Sequence, residues 1–238
     1  LESAEKREII QILSRLSDRL RPMVPMLSSW FQWLGLIDFI RSKALWANEH
    51  KALLPTMEEQ PLLDWKDARH PILEQSLTKI GKKIKPLTIR LAEEKRIMVV
   101  SGPNAGGKSV VLKTVLLMQY MVQCGLFVTA DPESRFGVFD YLGIDCGDGQ
   151  DIEQGLSTFS AHLHHLKNLL SHSSDRALIG VDEIGAGTDP RFGAPIAQAV
   201  LEQLLDAGAF VIATTHFSQL REWGMGISEV VQASMAYD

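Results

Sequence analysis

Apolar residues near the start of the chain recur at the spacing of a helix. The pattern forms two stripes, the first made of Ile9, Leu13, Leu16 and Leu20 and the second, which runs on towards Leu45, of Leu27, Trp30, Leu34 and Ile37. Pro22 and Pro25 lie between the stripes and predict a break. We therefore expect a helical segment over 1–54. Its two helices pack on each other or on absent neighbours, or form a lever or coiled-coil arm.

After residue 55, short apolar runs alternate with longer helical patterns. The runs predict strands near 86–91, 97–101, 177–181, 210–214 and 230–237, and the periodic stretches predict helices near 108–124, 157–170 and 193–207. Strands that alternate with helices indicate an α/β domain with a mostly parallel sheet flanked by helices. We expect this domain to cover 55–238.

Composition narrows the class of protein without indicating a function. Hydrophobic residues make up 45% of the 238 residues, enough for a substantial core, and the formal net charge of −5 argues against a chain that coats nucleic acid over its whole surface. Cys124 and Cys146 form no Cys-x-x-Cys motif, which fits a reducing compartment. Because no signal peptide or membrane-spanning stretch is visible, we expect a cytoplasmic protein. Both ends look cut, as in a piece of a larger protein.

A motif between an apolar strand and an apolar helix carries the main chemical prediction. It has the pattern G-x-x-x-x-G-K-[ST] and consists of Gly102, Pro103, Asn104, Ala105, Gly106, Gly107, Lys108 and Ser109. Glycines let successive backbone N–H groups point at phosphate oxygens, the lysine faces the β- and γ-phosphates of ATP, and the serine hydroxyl is a Mg²⁺ ligand. The helix that follows directs its positive end at the same anion, and its first residues, up to Val110, belong to the predicted binding segment. A glycine-rich turn without a ligand is the alternative.

A second strand ends in two acids. The apolar run 177–181 is followed by Asp182 and Glu183. In phosphate-loop ATPases an acid at the tip of a neighbouring strand holds Mg²⁺, here through its water shell, and a glutamate directly after it polarises the attacking water. We therefore predict Asp182 as the metal-side acid, beside Ser109, and Glu183 as the general base. The alternative is a strand that ends in two acids without a catalytic role.

These motifs resemble the phosphate-loop, ABC-type ATPase domain of the MutS family, from about residue 60 onward and weakly in the helices before it. The Gly-Pro-Asn opening and doubled glycine of 102–109 are similar to that family's phosphate loop. Four further segments match in order: Ala-Arg-His-Pro at 68–71, Leu-Ser-Thr-Phe-Ser at 156–160, the acids with the following loop at 182–190, and Thr-Thr-His at 214–216. An ABC transporter matches less well, because the interval between Lys108 and Asp182 lacks the helical subdomain with a Leu-Ser-Gly-Gly-Gln signature.

Two stretches resemble the second MutS branch, which is associated with recombination control, more than the mismatch-correcting members. They are Gly-Asp-Gly-Gln at 147–150, which leads through Ile-Glu-Gln at 152–154 into the signature, and Gly-Ala-Gly-Thr-Asp-Pro at 185–190. The sequence shows no counterpart of that family's mismatch-reading domain, clamp, C-terminal crossing helices or Smr nuclease module. DNA cleavage is therefore not assigned to these residues.

The resemblance implies an ATPase that dimerises around two composite sites and couples nucleotide state to DNA binding. Glu183, His216 and Lys108 would take part in catalysis, and Ser157 of the signature would contact ATP in trans. The resemblance also implies a homodimer in the full-length protein, and binding to branched or mismatched DNA through parts mostly outside this chain. Stalled ribosomes are a further target that the sequence leaves open for this branch. A membrane is not an expected partner.

Two other features have open interpretations. A basic cluster stands where the family places adenine contacts; its members are Lys79, Lys82, Lys83 and Lys85. The aromatic residue expected there is absent, so Ile80 or Ile84 is a candidate substitute, and a solvated loop is the alternative. His162 and His165 on the helix after the signature could share a face, but no acid or cysteine joins them at metal-ligand spacing.

Two functions of different classes therefore remain. The first is an ATP hydrolase that works as a dimer. The second is a nucleotide-dependent clamp or interaction module in which hydrolysis is slow, and another ABC-type ATPase, similar to the SMC proteins, is a more distant third. Glu183 favours hydrolysis, because a pure binding module needs no water-activating acid.

Overall fold

The chain begins with a long run of helix. The computed structural model describes residues 2–103, 106–146 and 158–235, and the chain divides into two units, Leu1–Glu49 and His50–Asp238. The first unit holds helix α1 (Glu2–Leu20), a 3-10 turn (Arg21–Met23) and nearly all of helix α2 (Val24–His50).

The predicted break at the prolines is present only as the short 3-10 turn between α1 and α2. Pro22 lies in the 3-10 turn and Pro25 is the second residue of α2. In the first turn of a helix a missing N–H and a fixed φ are tolerated. The helical path is therefore continuous from Ala4 to His50, and the helices follow each other instead of packing side by side.

The apolar side chains of this unit are exposed. Phe31 is 79% exposed, and every residue of the two predicted stripes is also among the exposed apolar side chains. Contrary to the expectation from sequence, the stretch Ala4–His50 is long and apolar enough to cross a membrane, by length and composition alone. One such helix near the start of a chain is weak evidence for a membrane span.

The second unit alternates strands with helices. Its strands are β1 (Thr56–Glu58), β2 (Leu63–Ala68), β3 (Leu87–Leu91), β4 (Ile97–Ser101), β5 (Arg135–Gly137), β6 (Tyr141–Asp145), β7 (Ala177–Val181), β8 (Phe210–Thr215) and β9 (Val230–Ser234). Its helices are α3 (Pro71–Lys79), α4 (Lys108–Gln123), α5 (Thr158–Ser171), α6 (Pro190–Asp206) and α7 (Ser218–Met225).

Five strands form a wholly parallel sheet in the order β6-β7-β8-β4-β9. Every residue of β4, β7 and β8 is buried, as expected for strands covered on both faces. On one face Leu112 and Leu116 of α4 pack against Gly180, and on the other Leu201 of α6 shares the main core with Ile179. The predicted α/β class, with a mostly parallel sheet between helices, is confirmed.

Four strands form a second sheet in the order β1-β5-β2-β3, with β2 antiparallel to both of its neighbours. The strand predicted at 86–91 is present as β3 but belongs to this sheet instead of the parallel one. Trp65 of β2 and Phe136 of β5 are buried and stack with ring centroids 4.4 Å apart. Helix α3 connects β2 to β3, so the second sheet positions it.

Candidate functional site

Three of the predicted motifs follow neighbouring strands of the parallel sheet. The phosphate loop follows β4, the two acids follow β7, and His216 follows β8, which lies between the other two. The carboxyl ends of parallel strands meet at one edge of the sheet, where ligands bind in open α/β folds. The topology therefore brings the three motifs together.

The backbone of the phosphate loop requires glycine at the described positions. Gly107 has φ +87° and Gly102 has φ +134°, both in the region that favours glycine. A Cβ on Gly106 would lie 3.0 Å from Cβ of Met235, which packs over the loop from the end of β9. Asn104 and Ala105, also predicted as binding residues, lie outside the described residues.

Helix α4 begins at Lys108, and no side chain caps its N-terminus. The N–H groups of Val110 and Val111 donate to Gly107 O at 3.0 and 3.1 Å. Ser109 is half-buried and Val110 is 40% exposed, so both predicted binding residues lie in the first turn of the helix. An uncapped first turn is a suitable site for an anion.

The side chain of Lys108 is buried, with 2% exposed, and points back over the loop. Its Nζ donates a hydrogen bond to Gly102 O at 2.5 Å and lies 3.4 Å from Nε2 of His216. Burial lowers the pKa of Lys108, while the carboxylates of Glu183 and Asp182 oppose that shift. The two acids therefore help to keep the ammonium charged at this edge of the sheet.

The two acids lie in a tight turn that Thr214 holds from the neighbouring strand. Glu183 has φ +50°, a strained value for a residue with a side chain. Its N–H donates to Thr214 Oγ1 at 2.7 Å, and that hydroxyl donates to Asp182 Oδ1 at 2.5 Å. The N–H of Ile184 donates to Thr214 O at 2.9 Å. One buried threonine thus fixes both acids.

Sequence reasoning placed Thr214 in the Thr-Thr-His loop but gave it no role. The available signal was a hydroxyl at the carboxyl end of a buried apolar strand, where a valine or isoleucine would otherwise be expected. Its partners are 31 and 32 positions away in the chain, so only the fold shows which groups it contacts.

Glu183 and His216 form the exposed part of the site. Glu183 Oε1 lies 3.2 Å from His216 Nε2, and the side chains are 39% and 42% exposed. A neutral ring nitrogen is either a donor or an acceptor, so Nε2 donates to Glu183 or accepts from Lys108, but does not do both at once. The carboxylate of Glu183 is accessible to water, whereas Asp182 is buried.

A cavity of about 390 Å³ adjoins the phosphate loop. Its lining is mostly apolar and includes Leu73, Leu77, Ile84, Gly107 and Met235. Of the two isoleucines considered as adenine contacts, Ile84 lines this cavity, whereas Ile80 is 65% exposed. A small apolar cavity beside a phosphate-binding loop has the character of a nucleoside site.

His70, another lining residue of this cavity, caps helix α3. Its Nδ1 accepts a hydrogen bond from the N–H of Leu73 at 3.3 Å, and Pro71 follows as the first helical residue. Burial lowers the pKa of His70, which favours the neutral ring that is able to accept this bond. The segment 69–71 thus has a structural role as a helix start at the edge of the cavity.

Two further features of the sequence analysis concern Ser157 and the histidines of α5. Ser157 lies outside the described residues. His162 does meet an acid, Asp145, which is remote in sequence, yet the described residues contain no group of three His, Cys, Asp or Glu side chains that could hold a metal ion. A Mg²⁺ site that uses Ser109, Asp182, water and phosphate oxygens needs no such group.

The chain is similar to known proteins over its whole length. Residues 98–238 match the family of MutS domain V. The chain is 42% identical over 235 residues to an Endonuclease MutS2 from Lacticaseibacillus casei, covering 99% of this chain and 29% of that protein. It is 40% identical over 238 residues to those of Latilactobacillus sakei and Carboxydothermus hydrogenoformans, covering 100% of this chain and 30% of each relative. The chain therefore spans about 30% of the length of these curated relatives.

Proposed function

Because the chain belongs to the MutS family, through an ATPase domain that resembles those of the MutS2 proteins, we propose that it binds and hydrolyses ATP within a DNA-binding protein. The observation that best supports this proposal is the convergence of Lys108, Glu183 and His216 at the carboxyl edge of the parallel sheet. A cation, a water-accessible carboxylate and an imidazole within hydrogen-bonding distance are suited to phosphoryl transfer to water.

The phosphate loop binds the phosphates of the nucleotide, and the adjoining cavity binds its adenosine. The N–H groups of the loop and the first turn of α4, up to Val110, hold the phosphates, and Lys108 exchanges Gly102 O for a phosphate oxygen. The adenosine occupies the cavity lined by Ile84 and Met235. The basic residues Lys83 and Lys85 also line this cavity, where their charge favours the anionic ligand.

The residues present fit a Mg²⁺ ion. Ser109 supplies a hydroxyl in the first turn of α4, and Asp182 supplies a buried carboxylate whose Oδ1 is held by Thr214. Oxygen donors of this kind are the ligands that Mg²⁺ prefers, and Asp182 would hold the ion through its water shell. When bound, the ion supplies positive charge to the β- and γ-phosphates.

Hydrolysis transfers the γ-phosphoryl group to water. Glu183 Oε1 accepts a proton as the water oxygen attacks the γ-phosphorus and the bond to the β-bridging oxygen breaks, which leaves ADP and phosphate. His216 Nε2 orients Glu183 when it donates to the carboxylate. Thr214 prevents the acid turn from relaxing, since it satisfies the N–H of Glu183.

The assembly is a homodimer with two composite ATP sites. Each subunit's Ser157, which precedes helix α5, contacts ATP held by the partner, so nucleotide binding draws two subunits together. The rest of a longer protein, by analogy with relatives of which this chain spans about 30%, binds branched or mismatched DNA in the cytoplasm, and a stalled ribosome is the alternative target. Hydrolysis then couples the nucleotide state to the binding of that target.

Single-turnover hydrolysis by a Glu183→Gln variant of the full-length protein tests the proposal. The amide keeps the shape of the side chain but accepts no proton. We expect ATP affinity within about threefold of wild type and a turnover rate lower by on the order of 10²-fold.

Glu222→Gln is the matched control, because this glutamate lies exposed on α7. We expect wild-type turnover from it. Unchanged turnover in Glu183→Gln would show that the base lies elsewhere, with His216 the next candidate. Tight ATP binding with negligible turnover in the wild type itself would favour the clamp module over the hydrolase.

A further inference from the structure

Asp145 connects the acid turn to helix α5. It is the last residue of β6, and its carbonyl oxygen accepts the N–H of Asp182 at 2.7 Å. Its side chain is 2% exposed, and Oδ2 lies 2.6 Å from Nδ1 of His162, which is itself 6% exposed. A single residue therefore contacts the proposed metal-side acid through its backbone and helix α5 through its carboxylate.

A second contact joins the start of α5 to the loop that follows the acids. Gly187 has φ +87°, and a Cβ built on it would lie 3.6 Å from Cα of Phe159. Phe159 is the second residue of α5, and His162 follows it by three positions, about one helical turn. The first turns of α5 are thus held from two sides, by the end of β6 and by the loop beyond Glu183.

The contact between Asp145 and His162 is more specific than apolar packing. A buried carboxylate is costly unless hydrogen-bonding or oppositely charged groups face it, so removal of the imidazole costs more than the loss of an apolar contact. His165 approaches the same carboxylate, with its Nδ1 3.7 Å from Oδ1, but its side chain is 50% exposed. The structure therefore restrains His162 far more than His165.

We infer that Asp145 and His162 are positioning residues that couple the acid turn to helix α5. This inference rests on the proposed function. Helix α5 begins within the signature stretch 156–160, so a shift of Asp182 on nucleotide binding would be transmitted through Asp145 to the helix that a subunit presents to its partner. Neither side chain belongs to the ATP site described above, so the pair acts on turnover and not on affinity.

A double-mutant cycle in the full-length protein tests the coupling, with Asp145→Asn, His162→Leu and the double variant. We expect each single variant to lower kcat about tenfold while the Kd for ATP stays within about threefold, because the phosphate loop is untouched. The double variant should be no slower than the slower single one, because both changes remove the same contact. His162→Asn, whose side-chain amide places a donor at the position of Nδ1, should recover most of the loss.

His165→Leu is the matched control on the same helix, and we expect its kcat to be close to that of wild type. If His162→Leu does not fold, His162→Ala replaces it in the cycle with Asp145→Asn. Losses that multiply in the double variant, or an unchanged kcat in single variants that melt like the wild type, would overturn the inference. A failure of the proposed function is distinguishable, because it appears as unchanged turnover in Glu183→Gln.

Discussion

The edge of the parallel sheet and the first helical unit depart from the usual burial of side chains in opposite ways. At the sheet edge, polar side chains such as Lys108, Asp182 and Thr214 are buried and each has a partner at a defined distance. In the helical unit, large apolar side chains such as Trp30 and Phe31 are exposed. Buried polar groups are costly unless they are paired, so their arrangement indicates a chemical role. Exposed apolar groups indicate only that a surface is available.

Lys108→Ala should produce the largest loss of ATP affinity, and it therefore tests most directly whether the buried polar groups of the sheet edge have a chemical role. The change removes the cation that faces the β- and γ-phosphates, so we expect ATP affinity to fall by on the order of 10²-fold. Titration calorimetry with ATP and Mg²⁺ measures it. Lys113→Ala, which removes an exposed lysine from the same helix, is the control. Equal affinity in wild type and Lys108→Ala would refute the phosphate-loop assignment.

Thr214→Val should have the next largest effect. Valine keeps the shape but removes the hydroxyl that serves both Asp182 and Glu183, so the strained turn loses its restraint. We expect kcat to fall about tenfold and the free energy of unfolding to fall by about 1–3 kcal/mol. Steady-state kinetics and thermal denaturation measure the two. Thr214→Ser retains the hydroxyl and should stay near wild type; if serine is as impaired as valine, methyl packing and not hydrogen bonding holds the turn.

Acidification should have a smaller effect, through His70. Burial lowers its pKa below the ordinary value of 6.5, so the folded state favours the neutral ring. The stabilisation that this cap provides is present above pH 6.5 and is lost as the pH falls through the lowered pKa, because a protonated Nδ1 no longer accepts from Leu73. We expect a His70 resonance that titrates below the range of exposed histidines in NMR spectra.

His70→Asn is the control for this titration, because asparagine caps a helix at any pH in this range. In the wild type, the free energy of unfolding should fall as His70 becomes protonated, and the asparagine variant should lack that part of the pH dependence. An ordinary or raised pKa at His70 would contradict the prediction.

Phe31→Ser should have the smallest effect on the ATP site. The side chain is exposed within the helical unit. We expect kcat and the Kd for ATP to stay within about twofold of wild type, as for most surface substitutions. A larger loss of turnover would show that the helical unit affects hydrolysis at the sheet edge, which the comparison of the two regions does not predict.

The strands whose bounds could be predicted best from sequence are those covered on both faces. The ranges 97–101 and 177–181 match β4 and β7, because a strand buried on both faces is a continuous apolar run. Strand β2 was missed, since its sequence Leu-Asp-Trp-Lys-Asp-Ala mixes charged and buried positions. Strands β1 and β5 have three residues each, too few for any periodicity. The break predicted at Pro22 is only a 3-10 turn, because proline's effect depends on its position within a helical turn.

The site divides in the same way. The phosphate loop and the acid pair could be predicted because the chemistry expected of them depends on residues that are adjacent in sequence. The role of Thr214 and the contact of Asp145 with His162 could not, because their partners are brought together only by strand order and helix packing. The acid that faces His162 of α5 is remote in sequence, because Asp145 lies at the end of β6.

The position of β4 in the sheet has a consequence for biosynthesis. This strand pairs with β8 on one side and β9 on the other, although both are made more than a hundred residues later. A nascent chain that has already emerged as far as Lys108 therefore has no partners for the strand that carries its phosphate loop. Non-local parallel pairing of this kind is slow and leaves strand edges open in the meantime. A ribosome that stops before β9 would release a chain with an intact nucleotide-binding motif but an incomplete sheet, and therefore a substrate for chaperones and proteases.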